Sequence, residues 1–140
     1  MSSAMPKTHA AVATIVVGCL GLFAAGCGGG GGGGGAADEV TVKAPAGGGT
    51  PSLTIDAHDV YFTPKVVKAP AGKLEIHYVE QGSQQHTLEI DGAKGFKLTV
   101  GPGKKSESGT VDLAAGEYSY YCTIPGHRAQ GMAGTITVTS

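Results

Sequence analysis

Residues 120–132 read Tyr-Tyr-Cys-Thr-Ile-Pro-Gly-His-Arg-Ala-Gln-Gly-Met. This stretch places Cys122 at the end of a predicted strand, with His127 five residues later and Met132 ten residues later. Another histidine, His86, begins an earlier predicted strand. Together these side chains offer one thiolate, two imidazoles and one thioether, which form a soft nitrogen–sulfur donor set. The pattern therefore predicts four metal ligands on two separate elements.

A trigonal His₂Cys set with a weak axial Met is typical of blue copper electron-transfer sites. A strand would hold Cys122 rigidly, and Pro125, Gly126 and Gly131 supply the turns that the following loop needs. His86 must come from another strand, because one loop cannot surround a metal ion. Zinc or nickel could occupy the same donors, and Cu(II) is favoured chiefly by the order of affinities.

The rest of the chain after residue 51 alternates apolar and polar residues with period two, and glycine and proline interrupt the runs. No helical pattern of three turns is present. The alternation predicts strands at 52–57, 65–69, 73–79, 86–90, 96–100, 106–112, 116–122 and 133–139. Seven or eight short strands of this spacing predict an all-β Greek-key sandwich or barrel.

Glycine content divides the chain. Of 140 residues, 25 are glycine, but only eleven of these lie between Pro51 and Ser140, whereas Gly28–Gly35 is unbroken. We therefore expect a signal peptide at 1–26, a glycine-rich linker at 27–50 and one folded domain at 51–140. The ten basic residues nearly balance the eleven acidic ones. Because the basic residues form no stripe along the sequence, nucleic acid is not an expected partner.

The N-terminus indicates export. After Lys7 the sixteen residues Ala10–Ala25 carry no charge, which is shorter than the roughly 20 residues of a membrane span. This favours a secretory signal over the alternative, an uncleaved anchor helix. Ala24-Ala25-Gly26-Cys27 resembles the lipobox of bacterial lipoproteins, in which the Cys is acylated. The predicted location is extracytoplasmic and lipid-anchored to the cell membrane, in the periplasm or on its outer face.

A second lipobox-like sequence ends at Cys19. Cys27 is the preferred lipid site, because apolar sequence continues after Cys19 whereas flexible glycine follows Cys27 at once. Cys122 is then the one thiol left in the folded part. A lone thiol in an oxidising compartment is either buried and inert or does chemistry.

Residues 53–140 resemble the cupredoxins, the family of type 1 blue copper proteins. The resemblance is carried by G-E-Y-S-Y-Y-C at 116–122, by the Cys122-to-Met132 loop and by G-S-Q-Q-H-T at 82–87. It implies a Greek-key β-sandwich and one copper ion cycling between Cu(II) and Cu(I). The implied ligands are His86, Cys122, His127 and Met132. Many members carry Asn after the first histidine ligand, where this chain has Thr87, and we expect Thr87 and Thr123 to substitute for it.

The resemblance implies a one-electron carrier between redox partner proteins. The sequence gives no sign of oligomerisation, and we expect a monomer. The His127 edge is expected to reach the surface amid an uncharged patch of Ile124, Pro125, Ala129 and the Gly101–Gly103 turn. Tyr121 is either a second electron path or merely a half-buried strand aromatic.

Two other functions compete with electron transfer. Copper carriage without electron transfer is disfavoured, because residues 51–140 hold one Met and four His rather than an exposed cluster. Catalysis would need a second metal centre or an open substrate position, and His58 and His77, the only spare imidazoles, are too few for another copper cluster. No catalytic residue is therefore predicted, and the chain is not expected to be an enzyme.

Overall fold

The structure is a computed structural model, and it describes residues 38–140. The predicted signal peptide, 1–26, and both candidate lipid sites, Cys19 and Cys27, lie outside the described residues. None of the described residues belongs to a helix long and apolar enough to cross a membrane.

The described part of the chain is built from strands and one short 3-10 helix, Arg128–Gln130. In chain order the strands are β1 (Glu39–Thr41), β2 (Ser52–Ala57), β3 (Phe62–Thr63), β4 (Val66–Pro70), β5 (Gly72–Glu80), β6 (His86–Ile90), β7 (Lys97–Val100), β8 (Ser106–Leu113), β9 (Gly116–Tyr121) and β10 (Ala133–Thr139).

All eight predicted strands are present, with bounds that agree within one residue, and the all-β fold class is confirmed. Two further strands raise the number above the seven or eight expected. β3 has two residues and β1 has three, and neither is long enough to show the alternation that marks a strand in sequence. β1 lies inside the segment 27–50 that the sequence assigns to the linker.

The strands form two sheets. One has six strands in the order β1-β4-β10-β9-β6-β7, and the other has four in the order β3-β2-β5-β8. In β5, the alternate side chains Leu74, Ile76 and Tyr78 are buried and point into the space between the sheets. The apolar cluster formed there is continuous and includes Cys122 and Met132.

The neighbouring antiparallel strands β6 and β9 position the candidate site. Glu89 is opposite Tyr121 and Ile90 is opposite Tyr120. Because the strands run in opposite directions, the start of β6 and the end of β9 lie at the same end of the sheet. His86 is the first residue of β6 and Cys122 directly follows β9, so this pairing brings together residues 36 apart in sequence.

Candidate metal centre

His86, Cys122 and His127 converge in the folded chain. Their ligand atoms all lie within 4.8 Å of one another. The Nδ1 atoms of the two imidazoles are 3.2 Å apart, and Cys122 Sγ is 3.7 Å from His127 Nδ1. The Nδ1 edges of both rings thus face the thiol, as three ligands of one metal ion would.

The cluster is enclosed by protein. The exposed fraction is 1% for Cys122 and 0% for both His86 and Met132, whereas His127 is half-buried. Met132 is tied to the cluster through its backbone: its N–H donates to the His127 carbonyl at 3.0 Å, and its carbonyl accepts from Cys122 N–H at 3.1 Å. The fourth predicted ligand is therefore a buried residue whose backbone is hydrogen-bonded to Cys122.

Two glycines allow the ligand loop to close. Gly126 has φ 87° and Gly131 has φ 103°, a left-handed conformation that other residues adopt only with strain. The His127 N–H donates to the Ile124 carbonyl, which forms the first turn, and Gly131 ends the 3-10 helix. The loop thereby returns to β10 and places both His127 and Met132 next to Cys122.

Thr87 links the first-histidine strand to the cysteine. Its hydroxyl oxygen accepts from the Thr123 N–H at 2.8 Å and lies 2.8 Å from the Thr123 hydroxyl. Its backbone N–H donates to Cys122 Sγ at 3.5 Å. Thr87 thus connects β6 to Cys122 and Thr123 at the start of the ligand loop.

The environment of His86 favours its neutral form. Burial lowers the pKa of His86, and the nearby His127 ring acts in the same direction, while the carboxylates of Glu80 and Asp59 oppose both. A neutral imidazole keeps the lone pair that a metal ion needs. The charge state that this site favours is therefore the one that binds a metal.

Two acidic residues support the loop that leads to His86, and sequence analysis missed both. Asp59 Oδ1 accepts from Ser83 N–H at 3.0 Å, and this bond is the main cause of the lowered pKa of Asp59. Glu80 Oε1 accepts from Gly82 N–H at 2.6 Å. A signal for Glu80 exists in the sequence, because it continues the buried positions 74, 76 and 78 of β5.

The predicted surface patch is only partly continuous. Ile124, Pro125 and Ala129 line one groove beside Cys122, whereas the Gly101–Gly103 turn lines another groove with Gln85. Tyr121 is half-buried at the first groove.

The guanidinium of Arg128 lies 4.0 Å from the centre of the Tyr121 ring and 3.6 Å from the Asp91 carboxylate. Because Arg128 also lines the groove beside Cys122, that surface is not entirely uncharged.

The spare histidines are far from forming a second site. The His58 ring stacks on the Tyr61 ring, with ring centres 4.3 Å apart, and is hydrogen-bonded to the Thr63 hydroxyl. The His77 ring is hydrogen-bonded to the Ser108 hydroxyl. Within residues 38–140, no other group of three potential ligand side chains comes together.

Comparison with known proteins identifies the family. A family model described as a cupredoxin-like domain matches residues 39–138. The chain belongs to the cupredoxin family. No curated relative matches it in sequence.

This cupredoxin resembles an auracyanin and a rusticyanin among solved structures. One is the dithionite-reduced auracyanin of the photosynthetic bacterium Roseiflexus castenholzii, with 21% identity and a TM-score of 0.57, over 64% of this chain and 97% of that one. The other is reduced rusticyanin, with 25% identity and a TM-score of 0.53, over 73% of this chain and 85% of that one. These likenesses agree with the observed sandwich fold.

The residues present fit the family's copper cofactor. The His86, Cys122 and His127 donors converge, and the buried Met132 is hydrogen-bonded through its backbone to Cys122 and His127. This is the donor set of a type 1 copper site.

Proposed function

We propose that this cupredoxin is a membrane-tethered blue copper protein outside the cytoplasm, which carries single electrons between redox partner proteins. The observation that carries the proposal is the buried convergence of His86, Cys122 and His127 next to Met132. It is an electron carrier in this proposal rather than an enzyme, since the described residues offer one such cluster and no second one.

Each ligand has a defined task. Copper, when bound, supplies the Cu(II)/Cu(I) couple. Cys122 would hold the metal as the thiolate, His86 and His127 would hold it as neutral imidazoles, and the Met132 thioether would tune its potential. Because the ligands are fixed by two paired strands and a closed loop, they move little between oxidation states, which favours fast electron transfer.

Burial favours electron transfer over copper carriage. A protein that hands metal to others needs exchangeable ligands, whereas Cys122, His86 and Met132 are almost completely buried. An electron can cross a short distance of protein without any ligand leaving. The structurally similar rusticyanin is known in a reduced form, which supports a redox role for this chain.

The half-buried His127 and the groove lined by Ile124, Pro125 and Ala129 are the proposed place of contact with redox partners. Transient electron-transfer interfaces are small, so a patch of this kind is sufficient. The chain acts as a monomer in this proposal.

The colour of the copper-loaded protein tests the assignment. Addition of Cu(II) to the full chain should produce an intense visible thiolate-to-copper absorption band, and Cys122→Ala should abolish it. Cys19→Ala is the matched control and should leave the band unchanged. Copper bound without the band, or a band that survives in Cys122→Ala, would overturn the blue-site assignment.

The tether is tested by replacing the proposed lipid site. In a bacterial host, Cys27→Ala should move the protein from the membrane fraction to the soluble fraction and abolish incorporation of labelled fatty acid. Cys19→Ala should change neither. If Cys19→Ala releases the protein and Cys27→Ala does not, the lipid site has been placed at the wrong cysteine.

A further inference from the structure

A carboxylate is buried behind the first histidine ligand. Glu80 is the last residue of β5, and its side chain is 0% exposed, as is that of His86. Acidic side chains are almost never fully buried unless they are paired. The position of Glu80 in the core therefore requires a partner.

Half of that requirement is met by the backbone. Glu80 Oε1 accepts from Gly82 N–H at 2.6 Å. Among the described residues, Glu80 Oε2 and His86 Nε2 are the two buried side-chain polar atoms without a hydrogen-bond partner. They lie 4.0 Å from each other. Because unpaired buried polar atoms are costly, the pairing that satisfies both is the one between them.

The orientation of the His86 ring matches this pairing. Its Nδ1 faces the ligand cluster, 3.2 Å from His127 Nδ1, and its Nε2 faces Glu80. When Nδ1 binds a metal ion, the neutral ring carries its proton on Nε2. A separation of 4.0 Å is about 1 Å longer than a hydrogen bond, which is within reach of a side-chain adjustment.

We propose that Glu80 is a positioning residue for the copper ligand His86, and that its Oε2 accepts the His86 Nε2–H. Ligand histidines generally donate their second ring N–H to such an acceptor, which fixes the tautomer and orientation of the ring and raises its basicity. The inference rests on the proposed copper site. Its consequences are tighter metal binding and a lower reduction potential, because a negative charge behind the ligand favours the more positive Cu(II).

Glu80→Gln in the full chain separates this role from a structural one. The amide oxygen of Gln still accepts from Gly82 N–H, but an NH₂ group then faces His86 Nε2–H, and the charge is lost. We expect Zn(II) affinity to fall by about 10–100-fold and the copper reduction potential to rise. The matched control is Glu117→Gln, because Glu117 is exposed and lies at the end of β9 far from Cys122.

The outcomes are distinguishable. Zn(II) affinity and copper potential that match those of Glu117→Gln would overturn the role of Glu80. If wild-type protein shows no copper–thiolate band, the proposed function fails, whereas the Zn(II) comparison still decides the role of Glu80.

If the Glu80→Gln variant does not fold, a measurement on the wild-type protein replaces its comparison with Glu117→Gln. The measurement is nuclear magnetic resonance of the Zn(II)-loaded protein with ¹⁵N-labelled histidine. We expect the His86 Nε2–H proton to resonate downfield, as an imidazole N–H proton does when it is hydrogen-bonded to a carboxylate. A resonance at the position of a non-hydrogen-bonded imidazole N–H would refute the pairing.

Discussion

Thr87 joins β6 to the start of the ligand loop through one side-chain oxygen and one backbone N–H. The hydroxyl accepts from Thr123 N–H, and the backbone N–H donates to Cys122 Sγ. Both partners belong to the start of the ligand loop, 35 and 36 residues later in sequence. A short hydroxyl suffices here because the backbones of β6 and the loop are already close.

Thr87→Val should weaken this connection while keeping the shape of the side chain. Loss of the hydroxyl removes the acceptor for Thr123 N–H, and we expect the free energy of unfolding to fall by about 0.5–1.5 kcal/mol. Urea denaturation measures the change. The control is Thr110→Val, because Thr110 is exposed on β8. An equal effect of both substitutions would contradict the linking role of Thr87.

Strand packing depends on a close approach between β9 and β10. Gly134 on β10 is opposite Tyr120 on β9, and the Tyr120 hydroxyl donates to the Pro64 carbonyl. A Cβ atom at Gly134 would overlap the Tyr120 ring and lie 2.7 Å from the Lys65 carbonyl oxygen. The absence of a side chain at this position therefore allows a buried tyrosine to cross β10.

Gly134→Ala should destabilise the protein by about 1–3 kcal/mol, the usual cost of an overpacked core. Thermal or urea unfolding provides the measurement. Gly103→Ala is the comparison, because nothing lies within 4 Å of a Cβ atom there. Wild-type stability in Gly134→Ala would show that Tyr120 can shift at no cost.

At the level of elements, alternation in sequence was enough to locate strands of four or more residues. It could not locate β1 or β3, because two or three residues do not establish a period. Glu80 was missed for a different reason: the predicted strand ended at 79, although the buried alternation of β5 continues to the carboxylate at 80.

The whole domain extends further toward the N-terminus than its sequence pattern suggests. β1 pairs in parallel with β4, and Val42 is 8% exposed and belongs to the core. Val42 N–H also donates to the Lys68 carbonyl at 2.7 Å. We propose that the linker ends near residue 38 rather than at residue 50.

Comparison of two fragments tests this boundary. Residues 38–140 should be more stable than residues 51–140 by about 1–3 kcal/mol, roughly the value of burying one aliphatic side chain. Urea denaturation of both fragments checks it. Within the longer fragment, Val42→Ala should lose part of this difference, while Val40→Ala should not, because Val40 is 41% exposed. Equal stability of the two fragments would restore the boundary at residue 51.

Sequence alone determined the strand content and the donor types of this protein. Period-two alternation indicates which face of a strand is buried. The C-x₄-H-x₄-M spacing indicates a loop that can bring its three donor side chains to one metal ion. Only the tertiary structure decided that β6 lies beside β9, which brings His86 to Cys122, and that Glu80 is buried behind His86. Strand order and contacts between distant residues arise when the two sheets pack together. They cannot be predicted from the alternation within one strand or from the spacing within one loop.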